Sequence, residues 1–228
     1  HGCADAYDHW HLSDRINYYS SPAMNISCKE ALEMANCNIE DINFFDIYSC
    51  FPSAIKIACD EMGIDINTNK GLTVTGGLPY FGGPGNNYVT HSISEIMNKV
   101  RNAPGTKGLI TANGNYITKQ SIGIYCSEEP MKNFFVKDPN LYQKHIDKLN
   151  APKVTSNPNG NATTGTYTVI NDRKGPSFSI LFGRMDDGSR FIANTPKSKS
   201  LLIDMMSNDY LDVKGTVLSN NKLNTFIP

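Results

Sequence analysis

The chain has 228 residues, 39% of them hydrophobic and 19% charged, and a formal net charge of -1, the make-up of an ordinary globular protein of one large or two modest domains. With no long basic or acidic run, nothing in the charge balance calls for nucleic acid or an anionic membrane surface, and neither is expected as a partner. No apolar stretch approaches the roughly 20 residues that span a bilayer and no basic-then-apolar signal opens the chain, so a soluble cytoplasmic protein without a membrane partner is expected.

From the N-terminus, His1-Gly2-Cys3 without an initiator methionine suggests a processed or truncated piece of a longer protein. His9 and His11 are two apart and would share one face of a strand; no third ligand lies nearby, and no metal site is expected. Ser21-Pro22 offers an N-cap and a first-turn proline, and Met24, Cys28, Ala31, Leu32 and Ala35 follow at helical spacing. Residues 43–49 read as a buried strand, with Asp46 in it as a structural residue. Pro52 opens a second helix that Gly63 ends.

A short β-run, Leu72-Thr73-Val74-Thr75, passes into the glycine-rich loop Gly76-Gly77-Leu78-Pro79-Tyr80-Phe81-Gly82-Gly83-Pro84-Gly85. Val89, Ile93, Ile96, Met97 and Val100 then carry the apolar stripe of a helix stopped by Ala103-Pro104-Gly105. Two strands, 107–112 and 117–125, flank Asn113-Gly114, a dipeptide suited to a tight hairpin turn. Strands interleaved with helices imply an α/β layer structure.

After Pro130 the character changes. A polar, Lys-rich linker (130–152) has room for a helix around 141–149. From about 153 the pattern is short and β-like: strands at 166–170, 177–182 and 190–193, a helix near 198–206, and last strands near Val213 and Thr225. This predicts a small, OB-like β-barrel over 153–228. Six cysteines (Cys3, Cys28, Cys37, Cys50, Cys59, Cys126) form no C-x-x-C pair and read as reduced thiols.

Three segments, Asp46-Ile47-Tyr48-Ser49-Cys50-Phe51, the glycine-rich loop through Pro84, and Gly108-Leu109-Ile110-Thr111-Ala112-Asn113-Gly114, occur in the order and spacing of three active-site loops of the thiolase superfamily. Residues 1–129 resemble the C-terminal lobe of sterol-carrier-protein-type thiolases and of their thiolase-like relatives among the acetyl-CoA acetyltransferases. The tail resembles the extra C-terminal domain of those thiolase-like relatives. The resemblance implies an acyl-CoA acyltransferase of lipid metabolism with a coenzyme A thioester as substrate and no other cofactor. It also implies that the nucleophilic cysteine lies in an N-terminal lobe absent from these residues, which would be this chain's partner. Homo-oligomerisation stays open.

The loops depart from the family pattern at three places. Where typical thiolases have G-H-P, this chain has Gly82-Gly83-Pro84, and Gly83 has no proton to move. Where the sterol-carrier type has H-D-C-F, it has Tyr48-Ser49-Cys50-Phe51, whose phenol donates but is a poor base at neutral pH. The C-x-G cysteine becomes Ala112. Asn113, His91 and Cys50 are the candidate catalytic groups that remain; Gly76, Gly77, Gly82, Gly83, Pro84, Tyr48 and Gly114 are the candidate substrate-binding positions. For each a plainer role is open: the glycines as a tight turn, Cys50 as a small buried hydrophobe, His91 as a helix-face histidine. An inactive protein that keeps an acyl-CoA-shaped cleft, or binds a protein partner, is the alternative.

Overall fold

A computed structural model describes residues 1–130, 135–220 and 223–228. The chain divides into two compact units, one of residues 1–10 and 17–149, the other of residues 11–16 and 150–228. Helix α5 (Pro139–Asp147) thus belongs to the first unit, where Tyr142 and Ile146 are buried. Its Tyr142 hydroxyl accepts from Asp5 N, and Gln143 pairs with the backbone of Tyr7. The range read as linker partly lies outside the described residues.

The first unit is built on a four-stranded sheet in the order β1 (Gly2–Tyr7), β4 (Lys119–Cys126), β3 (Lys107–Gly114), β2 (Phe44–Asp46). Only β2 and β3 run parallel. One face packs on α1 (Pro22–Ala35), where Ala4, Ala6, Leu109, Ile122 and Ile124 meet Met24, Cys28 and Ala31. Each fully buried aliphatic side chain there contributes on the order of 1.5–3 kcal/mol. α1 begins where it was expected: the Ser21 hydroxyl accepts from Met24 N, and Asn36 closes the helix in the left-handed region. α2 (Pro52–Met62) likewise ends at Gly63, φ 70°. Helix α4 (Tyr88–Asn102) sets Ile96 and Val100 against Ile110 of β3.

Three local expectations change. Residues 72–75 form no strand, because the amides of Val74 and Thr75 are taken by a side chain, the Asp46 carboxylate, rather than by a neighbouring strand. Asn113-Gly114 does not turn; β3 runs through it, and the reversal comes at Asn115, Tyr116 and Ile117, all at positive φ. β1 ends at Tyr7, so His9 and His11 share no strand: His9 Nε2 lies 3.2 Å from Leu149 O and His11 opens a short 3-10 turn.

The second unit holds a five-stranded antiparallel sheet in the order β7 (Arg190–Ala193), β6 (Gly175–Met185), β5 (Gly160–Asp172), β8 (Lys214–Ser219), β9 (Asn224–Ile227). A parallel bridge between Asn194 and Thr225 brings its two edges together. With α6 (Lys199–Ser207) between the third and fourth strands of the unit, this is the strand order of an OB-like, partly open barrel. Leu181, Phe191, Val217 and Phe226 fill it. Among the described residues no helix is long and apolar enough to cross a membrane.

Candidate functional site

The three predicted loops converge in the first unit. β2 ends at Asp46, and the chain leaves it through Tyr48-Ser49-Cys50 into α2. Tyr48 N donates to Thr111 Oγ1 of β3 at 2.9 Å. Two residues on, the side-chain amide of Asn113 stands 3.8 Å from Cys50 Sγ. On the other side the Ser49 hydroxyl accepts from Leu78 N at 2.8 Å, where the four-residue helix α3 (Leu78–Phe81) begins. Cys50, Asn113 and Tyr48 are half-buried, Ser49 buried. The end of β3 also opens on a depression of about 340 Å³ lined by Asp5, Tyr7, Ala112, Asn113, Gly114 and Lys119, among others.

Beneath the loops lies a group that the sequence marked only as structural. Asp46 is fully buried. Its Oδ2 accepts from Thr73 Oγ1, Val74 N, Thr75 N and Thr75 Oγ1 at 2.9–3.0 Å. Its Oδ1 accepts from Tyr88 OH and Ser92 Oγ, both at 2.8 Å. Both oxygens of the buried carboxyl are thus fully hydrogen-bonded. Burial pushes the Tyr88 phenol above its ordinary pKa; hydrogen bonding to Thr75 opposes the rise, and the bond to Asp46 adds to it. Tyr88 in turn meets the Tyr48 ring edge-on, at 5.5 Å between centroids.

The predicted substrate-binding glycines line this wall, and several of their N–H groups are already used within the chain. Gly76 N donates to Thr73 Oγ1, Gly77 N to Thr75 Oγ1 and Gly82 N to Leu78 O. Gly76, Gly77 and Gly82 all sit at φ between 79° and 95°, where a side chain is strained. A Cβ on Gly77 would come 3.2 Å from Ser49 Oγ. At Gly83, where thiolases carry a histidine, a Cβ would lie 2.9 Å from Leu78 Cδ1 and 3.0 Å from Tyr88 Cβ. Pro84 opens an exposed 3-10 turn, and Gly114 ends β3. His91 lies against Phe81 with ring centroids 5.1 Å apart and the planes tilted by 49°.

The structure therefore brings Tyr48, Cys50, Asn113, Gly77 and the neighbouring Leu78 close together and sets His91 against Phe81. Sequence reasoning missed Ser49, Thr75 and Tyr88 as parts of the site. The available signal was an aspartate in an otherwise apolar strand, followed some 30 residues on by hydroxyls at 73 and 75.

Residues 142–222 match the family model of the thiolase-like protein type 1 additional C-terminal domain. No curated protein matches the chain significantly. Among solved structures it is similar over 99% of its length to a monomeric SCP2-thiolase-like protein type 1 from Mycobacterium smegmatis, at 36% identity and a TM-score of 0.91, and it spans 50% of that protein's chain. Peroxisomal 3-ketoacyl-CoA thiolase of Saccharomyces cerevisiae is a more distant match, at 18% identity over 45% of this chain and 29% of its own, TM-score 0.35. A second structure of the yeast peroxisomal thiolase, a dimer, matches at 17% identity over 56% of this chain and 29% of its own, TM-score 0.36. The convergence of three thiolase-type loops, the OB-like second unit and the likeness to a thiolase-like protein along 99% of this chain agree: the chain belongs to the thiolase-like proteins that carry an additional C-terminal domain.

Proposed function

We propose that this chain is the lobe of a thiolase-like protein that binds a coenzyme A thioester in the cleft between Cys50, Asn113 and the glycine loop, and that it does not turn the thioester over. Thiolase chemistry needs a thiolate to accept the acyl group, a base to activate it and a second acid/base at the α-carbon. The acyl-accepting cysteine that the resemblance implies belongs to a lobe these residues do not include. Of the groups present, Cys50 and Asn113 can hydrogen-bond a thioester, and Tyr48 adds a phenol.

The observation that carries the reading is the packing at Gly83. A β-carbon there would lie 2.9 Å from Leu78 Cδ1 and 3.0 Å from Tyr88 Cβ, so an imidazole would have to displace both, and the glycine present has no proton to move. The N–H groups of Gly76, Gly77 and Leu78 are likewise engaged by hydroxyls of the chain itself, which leaves them poorly placed to stabilise an oxyanion. Calorimetric titration with acetyl-CoA is expected to give saturable binding that Asn113→Ala and Tyr48→Ala weaken. Gly83→His is expected to lower the melting temperature and to yield no thiolysis of acetoacetyl-CoA. Thiolysis above the uncatalysed rate by the unaltered protein would overturn the reading.

A further inference from the structure

Asp46 uses its hydrogen bonds to control the cleft at second hand. Thr73 and Thr75 each donate their hydroxyl to Oδ2, at 2.9 Å. With their orientation fixed in this way, the same two oxygens accept from Gly76 N and Gly77 N, at 3.1 and 3.3 Å. Thr75 Oγ1 also lies 2.8 Å from Tyr88 OH, which donates to Oδ1. The ring of Tyr88 supports Tyr48 edge-on and its Cβ closes on Gly83. One buried carboxylate thereby reaches both walls: the glycine loop through two threonines, and Tyr48 through Tyr88. The walls then meet where Leu78 N donates to Ser49 Oγ, beside a glycine whose added Cβ would sit 3.2 Å from that oxygen. This spacing leaves little slack, and a shift of a few tenths of an ångström in either wall is felt at the other.

We propose that Asp46 is the positioning residue of the cleft: through Thr73, Thr75 and Tyr88 it holds the Gly76–Leu78 loop against Tyr48-Ser49 in the geometry that admits the ligand. The proposal rests on the thioester-binding reading for the identity of that ligand, and on the hydrogen-bond geometry alone for the role of Asp46.

The test measures two things on the full chain: amide hydrogen exchange at Gly76, Gly77 and Leu78 without ligand, and affinity for acetyl-CoA. Asp46→Asn can keep Oδ1 toward the loop amides, and Thr75→Val removes one hydroxyl while leaving the Thr75 N bond in place, so at least one of the two is expected to fold. In the folded variants, protection at the three amides is expected to fall by about 10-fold or more and acetyl-CoA to bind about 10-fold more weakly, with protection in the β5–β6 hairpin unchanged. Unchanged exchange at the three amides would overturn the assignment of Asp46. So would lost protection with unchanged affinity. Unaltered protein that binds no acetyl-CoA would overturn the thioester reading, and it would be recognised by its normal exchange pattern.

Discussion

Six donors converge on the two oxygens of Asp46, and the residue makes the site's energetics local. Removing the carboxylate leaves two amides and four hydroxyls without their shared acceptor, and each hydrogen bond carries about 0.5–1.5 kcal/mol. Asp46→Ala is therefore expected to cost about 3 kcal/mol or more in urea denaturation, with the melting transition shifted well below that of Thr73→Ala, which removes one donor. Cys28 illustrates the opposite use of burial. Its thiol, on the buried face of α1, is pushed up to about 11 by desolvation, so it should react with a thiol reagent at neutral pH far more slowly than exposed Cys3, as peptide mapping of the labelled protein would show.

Among the elements, α1 and the end of α2 share a titrating contact. Ser21 N donates to Glu61 Oε1 at 2.7 Å, Ser21 Oγ donates to Asp8 Oδ2 at 2.6 Å and accepts from Met24 N. Losing this buried cap in Ser21→Ala should cost about 1–2 kcal/mol. Burial raises the Glu61 pKa, the Ser21 amide opposes the rise and the Asp8 charge adds to it. The folded chain therefore holds its proton to higher pH than the unfolded one, whose glutamate titrates near about 4.3. The stability this proton gives is full below that value and is lost as pH rises through the raised pKa. Glu61→Gln cannot ionise, so its melting temperature relative to the unaltered protein should rise as the pH climbs above about 4.3.

The helices were legible because caps and apolar spacing are local signals: Ser21-Pro22, Pro52 to Gly63 and the stripe of α4 needed no distant partner. β1 was not legible. Its buried residues are Gly2, Ala4 and Ala6, too small to mark an apolar face, and it pairs with β4 more than a hundred residues away. Residues 72–75 looked like a strand because threonine and valine favour one, and the competitor for their amides was a side chain 28 residues back. The three loops of the site could be read from their motifs. What could not be read was that Gly83 lies against Tyr88 or that threonine hydroxyls occupy the glycine amides, since both follow from packing between segments.

For the whole molecule, nothing local in the sequence marks the membership of 11–16 in the second unit. That segment is held by Arg190, whose guanidinium donates to the carbonyls of Ser13, Arg15 and Ile16. A protein of residues 150–228 alone leaves this guanidinium without those acceptors and is expected to melt below the corresponding transition of the full chain in calorimetry. We propose that the thiolase-type loops of the first unit bind a thioester and leave it intact. Equilibrium dialysis against acetyl-CoA labelled in the acetyl group tests this most directly. Saturable uptake of about one label per chain, all of it displaced by unlabelled CoA, is the expected result; label that stays covalently attached to the protein, or no uptake, would contradict it.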